Sequence, residues 1–310
     1  GLVAPSSPAK AAGFRRAVAT LSGLGYRVKS FVSPRWRDGY LAGRDDLRLR
    51  QLNRALRDPA VDAVVCLRGG YGALRLVDGV DFAALRRRPK ILVGFSDITV
   101  LELAIWRHCR LVTFYGPMPA FPGPGYNWRW FRRMLSSPRA LGPVPMPPEH
   151  VPRCLRPGRA TGRILGGTLS LVSKLVGTPH LPKLDGALLF LEDVGEPPYK
   201  IDGYLAHLRL AGVFDRVAGV MLASFKKCRP RSRSSLSLDR VFRDYFGKAP
   251  YPVAVGFPFG HQDPMFTLPQ GVCATLDAGR GTLELHDAPV VQPRPRPPGD
   301  EPDGEGPGRA

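Results

Sequence analysis

Short apolar runs and amphipathic stretches alternate along the first hundred residues. VDAVVCL at 61–67 is apolar apart from Asp62, as in a strand that is buried on both faces of a sheet. The other strand-like runs are residues 1–4, 26–31 and 91–93. Helical spacing of apolar positions marks residues 10–24 and 45–56, a segment beginning around Ala73, and the stretch from Ile98 onward. Strands that alternate with helices in this way predict a doubly wound, mostly parallel sheet in an N-terminal α/β domain.

The loops at residues 5–8, 69–72 and 95–97 each follow a predicted strand. Ligands of parallel α/β sheets bind at the carboxyl ends of the strands. We therefore expect these three loops to converge on one crevice.

The pattern changes after residue 114, where proline, glycine and aromatic residues replace the alternation. We interpret residues 138–157 as a linker between a domain at 1–137 and a strand-rich, mixed α/β domain at 158–288. The second domain has predicted strands at 186–191, 217–223 and 253–255, a predicted hairpin at 272–277 and 281–285, and predicted helices at 202–210 and 238–246. Residues 289–310 have almost nothing to bury and are expected to be disordered.

The chain of 310 residues is strongly basic, with 45 Lys and Arg against 26 Asp and Glu and a formal net charge of +19. The arginines are scattered, and only residues 226–233 form a dense basic run. No aromatic-interleaved basic motif accompanies that run. We therefore interpret the charge as a compositional bias and expect no nucleic-acid partner, which a salt titration of DNA binding would test.

Cysteine and hydropathy patterns narrow the class of protein further. The five cysteines are isolated, without the CxxC spacing of a metal or redox pair, which is typical of a reducing compartment. No apolar run approaches the roughly 20 residues that span a membrane, and no signal peptide is visible. We expect a cytoplasmic protein with no membrane partner. Because Gly1 is not an initiator methionine, we also expect a few residues or a leader to precede it.

Ser96 lies at a sharp turn between the predicted strand 91–93 and the helix that begins at Ile98. A serine in that position has its hydroxyl lifted clear of the sheet, and the amide of Asp97 can stabilise a developing oxyanion. Gly94 suits the tight turn, although Ile98 stands where the usual elbow has a second glycine. Helix capping by serine is the common structural alternative, so this motif alone is a weak signal.

A nucleophilic serine needs a base, and the base needs a carboxylate that orients it. His261 lies in a turn-rich loop after an apolar strand, where catalytic groups are commonly mounted. His180, in another loop, is the second candidate, whereas the other four histidines are expected in helices, the linker and the last strand. Glu192 and Asp193 follow the predicted strand 186–191 and are candidates for the acid, with a solvated strand terminus as the structural alternative.

Four motifs occur together in a fixed order: LRGGYG at 67–72, GFSDIT at 94–99, LEDVGEPPYKID at 191–202 and GFPFGH at 256–261. This set resembles the LD-carboxypeptidase family of serine peptidases, whose relatives include the microcin C self-immunity peptidases. The resemblance covers about residues 2–285. It implies two domains with the active site between them, and no metal or cofactor. We also expect a homodimer.

The resemblance also implies a role for each matching residue. It assigns the nucleophile to Ser96, the base to His261, the orienting acid to Glu192, and the oxyanion amides to Gly70 and Asp97. Gly69 is the alternative to Gly70 as a donor. The implied substrate is a murein-derived peptide. The implied reaction is hydrolysis, through an acyl-enzyme, of the amide before a terminal D-alanine in murein tetrapeptides.

Two positions depart from the family pattern, and both concern the substrate. Thr168 stands in GGTLS where relatives often have asparagine, so a contact of that amide is lost or replaced by a hydroxyl. Phe266 stands where a small or polar residue is more usual. Arg68, beside the predicted oxyanion loop, is our candidate for binding a terminal carboxylate, with an ion pair or a carbonyl cap as the structural alternative.

Two other functions compete with the murein peptidase. The same triad could hydrolyse a peptidyl-nucleotide or another toxic conjugate, and an aromatic ring that stacks on a base would indicate it. Trp128 and Trp130 are candidates for that ring, with packing at the rim of the cleft as the alternative. A non-catalytic module, in which the glycine-rich loop cradles an anion, is disfavoured by the intact set of Ser, Glu and His.

Overall fold

The computed structural model of the chain describes residues 1–33, 35–123, 125–148, 150–232 and 234–291. The α-helices in these ranges are α1 (Ala11–Gly23), α2 (Asp45–Arg57), α3 (Phe82–Arg87), α4 (Thr99–Cys109), α5 (Gly125–Ser136), α6 (Leu169–Leu175), α7 (Pro198–Leu210) and α8 (Leu238–Phe246). The strands are β1 (Leu2–Val3), β2 (Ala63–Cys66), β3 (Ile91–Gly94), β4 (Thr113–Tyr115), β5 (Gly142–Pro143), β6 (Arg153–Arg156), β7 (Arg159–Thr168), β8 (Leu188–Val194), β9 (Gly219–Lys226), β10 (Val253–Val255), β11 (Leu268–Gln270), β12 (Cys273–Asp277) and β13 (Thr282–Leu285). They form two sheets.

The first sheet has the order β1-β2-β3-β4-β11, with β1 to β4 parallel and β11 antiparallel to β4. Alternate residues of β2 face opposite sides of the sheet, as the two-residue period of a strand requires. Val64 and Cys66 pack into the apolar cluster that contains α2, α3 and α4. Val65 packs into the cluster that contains α1 and α5. Helices therefore cover both faces, and the predicted doubly wound α/β sheet is confirmed.

The second sheet has the order β5-β13-β12-β7-β8-β9-β10-β6. Strands β7 to β10 run parallel in its centre, and the strands on either side are antiparallel to their neighbours. The predicted hairpin is the β12–β13 pair. This is the strand-rich, mixed α/β architecture expected for the C-terminal half. Its register places Thr168 beside Glu192 at the ends of β7 and β8.

Three predictions of local structure differ from the structure. The helical segment expected from about Ala73 consists of two short 3₁₀ helices, Ala73–Arg75 and Val77–Gly79. Residues 26–31, predicted as the second strand, form only an isolated parallel bridge between Ser30 and Leu2. Strand β1 is only two residues long. Its backbone hydrogen bonds to this segment are therefore limited to those that Leu2 forms with Lys29 and Phe31. The proline-rich stretch after residue 114, where we predicted no regular element, contains the twelve-residue helix α5.

The segment 138–157, interpreted as a linker, carries β5 and β6, which pair with β13 and β10. Conversely, β11 comes from the C-terminal half of the chain and completes the first sheet. The predicted domain boundaries stay a prediction. Of the predicted tail, Pro289 is buried, and positions 292–310 lie outside the described residues.

Within the described ranges, no helix combines the length and the apolar character needed to cross a membrane. The cytoplasmic location and the homodimer stay predictions.

Candidate active site

Ser96 begins the 3₁₀ helix Ser96–Ile98, directly between β3 and α4. Its φ of 63° lies in the left-handed region, which is uncommon for a residue with a Cβ and is concentrated at functional turns. Gly94 allows this tight turn, because a Cβ there would lie 2.6 Å from Cγ2 of Ile98. The turn presents the Ser96 hydroxyl at the carboxyl end of β3.

His261 connects Ser96 to Glu192. The His261 Nε2 atom lies 3.1 Å from Ser96 Oγ, and its Nδ1 atom lies 2.7 Å from Glu192 Oε2. Both distances are within hydrogen-bond reach, which is the geometry needed by a serine, a base and an acid that orients the base. The structure thus brings together three side chains that lie far apart in the sequence.

The Glu192 carboxylate is completely buried and accepts four hydrogen bonds. Oε2 accepts from Nδ1 and from the backbone amide of His261, the latter at 3.2 Å. Oε1 accepts from the hydroxyls of Tyr115 at 2.6 Å and Thr168 at 2.7 Å. Burial alone would raise the pKa of the Glu192 carboxyl, but the interactions with His261, Tyr115 and Thr168 outweigh it and lower this pKa. The acid is therefore ionised at neutral pH.

Gly260 lets the carboxylate approach both donors of His261. A Cβ at Gly260 would lie 2.4 Å from Glu192 Oε2, and its φ of 89° disfavours any other residue. The imidazole also meets the Phe95 ring edge to face, with 4.9 Å between ring centroids. The glycine and the aromatic ring together limit the orientations open to the His261 imidazole.

Helix α5 holds the loop that follows His261. The Asn127 amide nitrogen donates to Asp263 Oδ1 at 3.0 Å, and Asn127 Oδ1 accepts from the Met265 amide at 2.8 Å. Asn127 is nearly fully buried, so these bonds are shielded from water. The helix missing from our prediction therefore positions the loop of the predicted base.

Of the two glycines proposed as oxyanion donors, Gly70 lines the cavity above Ser96 and Gly69 does not. Gly69 packs against the serine instead, because a Cβ there would lie 2.9 Å from Ser96 Cβ. A Cβ at Gly70 would lie 2.4 Å from Ser7 Oγ, and its φ is 103°. Gly70 therefore borders the cavity, whereas Gly69 lies against the serine, and the choice of the oxyanion donor stays a prediction.

The Asp97 side chain ties the three predicted loops together. Its Oδ2 atom accepts from Ser6 Oγ at 2.6 Å and from the Ala73 amide at 2.8 Å. Ser6 belongs to the loop after β1, and Ala73 follows the glycine-rich loop after β2. The expected convergence of these loops with the Ser96 turn is therefore present in the structure.

The competing candidates have other partners. Asp193 Oδ2 accepts from the Ser170 amide at 2.9 Å in the first turn of α6, and Oδ1 accepts from the Val194 amide at 2.8 Å. Glu196, a further acid of the motif at 191–202, pairs with Lys200. His180 Nε2 lies 2.7 Å from Asp78 Oδ1, and its Nδ1 lies 3.1 Å from His108 Nε2, so it is not part of the Ser96 cluster.

The buried Asp193 carboxyl should make stability depend on pH. Burial raises its pKa from 3.8 to about 6, and the amide donors offset only part of this rise. Because the folded chain then binds this proton more tightly than the unfolded chain, stability falls as the pH rises from about 4 to about 6. Relative to Asp193→Asn, the wild-type free energy of unfolding should drop by up to about 3 kcal/mol between pH 4 and pH 7. Urea unfolding at both pH values measures this difference, and identical pH dependences would contradict it.

Two site residues were missed by the sequence analysis. Tyr115 ends β4 and contacts Glu192, and Asn127 holds the His261 loop. The available signal for Tyr115 was its position: it follows the Ser96 helix in a parallel sheet, whose strands end at the same edge. No comparable signal pointed to Asn127, which lies among prolines and aromatic residues.

A cavity of about 510 Å³ opens above Ser96 and His261. Arg68, Lys226 and Lys227 bring positive charge to its lining. Arg68 Nη1 donates to the Pro8 carbonyl at 3.2 Å. The cavity also contains apolar side chains, which are Phe95, Pro117, Met118, Phe121, Pro122, Val194 and Met265.

The remaining substrate candidates lie elsewhere. Thr168 is buried behind Glu192 and does not line the cavity. The Trp130 ring packs on buried Phe266 with 5.6 Å between centroids, and Trp128 packs on Phe131. Among the side chains described by the structure, no group of three His, Cys, Asp or Glu residues could hold a metal ion.

Known proteins share this arrangement of two halves. The profile of the LD-carboxypeptidase N-terminal domain matches residues 1–116, and that of the LD-carboxypeptidase C-terminal domain matches residues 161–276. The chain is 36% identical over 296 residues to the probable murein peptide carboxypeptidase of Bacillus subtilis (strain 168), covering 92% of this chain and 90% of the relative. It is 27% identical over 319 residues to the microcin C7 self-immunity protein of Escherichia coli, covering 92% of each.

A solved structure gives the same result for the fold. The crystal structure of muramoyltetrapeptide carboxypeptidase from Oxalobacter formigenes matches with a TM-score of 0.81 at 30% identity, covering 92% of this chain and 97% of that one. The two family profiles together match well over half of the chain. The resemblance carried by the four sequence motifs is thereby confirmed, and the chain belongs to the LD-carboxypeptidase family.

Proposed function

We propose that this protein is a serine-type LD-carboxypeptidase that releases the terminal D-alanine of murein tetrapeptides. The observation that carries the proposal is the relay from Ser96 through His261 to a buried, ionised Glu192, directly beneath a cavity of peptide size. The names of the B. subtilis relative and of the O. formigenes structure support the substrate class.

The proposed reaction proceeds in two steps. His261 Nε2 takes the proton of the Ser96 hydroxyl while Oγ attacks the carbonyl carbon of the scissile amide. The amides of Gly70 and Asp97 stabilise the oxyanion, and Glu192 stabilises the imidazolium. His261 then gives its proton to the departing D-alanine amine, which leaves an acyl-enzyme. Water, activated by the same imidazole, hydrolyses the ester and regenerates the serine.

The charge of the cavity suits a substrate that carries carboxylates. Arg68, Lys226 and Lys227 line it, and none of them forms an ion pair with an acid among the described residues. The acid in the lining, Asp263, already accepts from Asn127. A terminal carboxylate close to the oxyanion must be neutralised, and unpaired cations in the same cavity can do this.

Release of free D-alanine from a murein tetrapeptide tests the function directly. The matched control is the same tetrapeptide with a terminal L-alanine, because the two substrates differ in one stereocentre. We expect release from the D-configured peptide at a rate at least about 100-fold higher, which corresponds to about 2.7 kcal/mol of transition-state discrimination. Failure to release D-alanine at micromolar enzyme would refute the proposed substrate.

Arg68→Lys should weaken binding of substrates that end in a free carboxylate. A lysine keeps the charge but loses the planar fork that meets two oxygens, so KM should rise roughly tenfold. The KM of a C-terminally amidated analogue should hardly change. Arg16→Lys is the matched control, because Arg16 also donates to a backbone carbonyl, that of Ala120, from outside the cavity lining. Equal losses on both substrates would leave Arg68 with a structural role.

A peptidyl-nucleotide or another toxic conjugate is the second candidate substrate, because the E. coli relative is named a self-immunity protein and one aromatic residue lines the cavity. Trp128 and Trp130, our original candidates for base stacking, pack on core phenylalanines. Phe121 instead lines the cavity with 45% of its surface exposed, so its ring could stack on a base. Parallel kcat/KM measurements on a murein tetrapeptide and a peptidyl-nucleotide distinguish the two, and Phe121→Ala should impair only the second.

A further inference from the structure

The Tyr115 hydroxyl lies at a junction of three groups in the candidate site. It is 2.6 Å from Glu192 Oε1, 3.0 Å from Thr168 Oγ1 and 3.3 Å from the Ser96 amide nitrogen. The residue is fully buried, so water does not compete for these bonds. The donor and the acceptor in each of these contacts can be assigned by counting protons.

A tyrosine hydroxyl has a single proton and can also accept. An ionised Glu192 can only accept, so the Tyr115 proton points to Oε1. The Thr168 hydroxyl donates to the same oxygen, with 2.7 Å between Thr168 Oγ1 and Glu192 Oε1. No proton is then left for the contact between the Tyr115 and Thr168 hydroxyls. The Ser96 amide, which can only donate, therefore donates to the Tyr115 oxygen. Burial and the Glu192 charge raise the pKa of Tyr115 well above its ordinary value, so its proton stays in place.

These bonds join parts of the chain that come from different sheets. Tyr115 ends β4 of the first sheet, whereas Glu192 and Thr168 are neighbours on β8 and β7 of the second. Ser96 adopts a positive φ, so its turn needs support from its surroundings. Phe190 meets the Tyr115 ring edge to face at 5.0 Å and fixes its position.

We propose that Tyr115 is a positioning residue that couples the serine turn to the acid: one hydroxyl holds both the Ser96 amide and Glu192 Oε1. By occupying Oε1, it leaves Oε2 free to accept both N–H groups of His261. The inference rests on the proposed roles of Ser96, His261 and Glu192. It adds a residue that touches neither substrate nor the reacting atoms.

Tyr115→Phe removes the hydroxyl and keeps the ring contacts. We expect kcat to fall roughly 10- to 100-fold with KM changed less than about twofold, since the lost bonds orient groups rather than bind substrate. The acid limb of the pH–rate profile should move to higher pH. A Glu192 with one donor fewer carries more charge density and holds the imidazolium proton more strongly.

Thr168→Val is the matched control, because it removes the other donor to Oε1 but leaves the Ser96 amide with its acceptor. We expect it to move the acid limb in the same direction with a smaller loss of kcat. The coupling is refuted if Thr168→Val reproduces the whole effect of Tyr115→Phe, or if Tyr115→Phe retains the wild-type kcat and acid limb.

Two further measurements keep the test decisive. Site-specific 3-fluorotyrosine at position 115 retains the hydrogen bonds but is a stronger donor. The acid limb of the pH–rate profile should therefore move to lower pH, opposite to its shift in Tyr115→Phe. An unchanged acid limb refutes the proposal even if the phenylalanine variant does not fold.

Labelling of Ser96 by a fluorophosphonate probe separates this inference from the proposed function. An unlabelled wild type would refute the triad, whereas equal labelling rates of wild type and Tyr115→Phe would refute the coupling alone.

Discussion

Replacing Ser96 with alanine should abolish D-alanine release while leaving the fold intact. In the proposed mechanism the Ser96 hydroxyl forms the acyl-enzyme, so kcat should fall by on the order of 10⁶, as expected when residues act as a unit. Alanine keeps the Cβ of serine and therefore adds no strain at the positive φ of this turn. Product release under single-turnover conditions and the thermal unfolding midpoint measure the two expectations.

The chain provides a matched control in a second serine–histidine pair. Ser173 Oγ lies 2.9 Å from His207 Nδ1, in helices α6 and α7, and neither residue lines the cavity. Ser173→Ala removes a comparable hydrogen bond and should leave kcat within about twofold of wild type, because it touches no group of the relay. Activity close to wild type in Ser96→Ala would show that another group is the nucleophile.

Much of the fold could be predicted because hydrophobic periodicity is a local property. The apolar run around β2 and the β12–β13 hairpin both appear as patterns over fewer than fifteen residues. Which strands pair across long distances is not local. The addition of β11 to the first sheet depends on backbone partners on β4, far earlier in the sequence. Helix α5 was not predicted because its sequence contains several aromatic residues, which have weak helix propensity, and because prolines flank it.

The site was predictable in part, for a similar reason. A serine at a strand-to-helix turn is a local signal, so Ser96 could be singled out from the residues alone. Its link to His261 spans 165 positions, and no periodicity reports such a contact. The family resemblance supplied that link, whereas Tyr115 was recognised only in the structure, although its position at a strand end was an available signal. A tyrosine at a strand end is ordinary in composition, and only the positions of its neighbours distinguish it.

Replacing Glu192 with glutamine should lower kcat by on the order of 10² to 10⁴ with little change in KM. The substitution preserves shape but replaces an acceptor oxygen with an amide that donates. In the wild type, four hydrogen-bond donors converge on the Glu192 carboxylate. Glutamine can accept only from those donors that face its single carbonyl oxygen. The measurement is the kcat of the variant on the tetrapeptide, together with its unfolding free energy.

Asp193→Asn is the control for Glu192→Gln, because it also removes the charge of a buried acid at the end of β8. Asp193 accepts from an amide at the start of α6, whereas Glu192 accepts from His261, so the two acids face different neighbours. We expect Asp193→Asn to retain kcat within about threefold, since it touches neither the base nor the cavity. A larger loss of kcat in Asp193→Asn than in Glu192→Gln would transfer the orienting role to Asp193.

We expect the glutamine variant to lose activity because the substitution changes the tautomer of the His261 imidazole. In the wild type, Glu192 Oε2 accepts from His261 Nδ1, which leaves Nε2 unprotonated and able to take the proton of Ser96. If the glutamine NH₂ group faces Nδ1, it must donate, and the imidazole proton moves to Nε2. That tautomer cannot act as a base toward the serine. The loss should therefore persist at every pH where the imidazole is neutral, so a pH–rate profile that recovers wild-type activity at high pH would contradict this explanation.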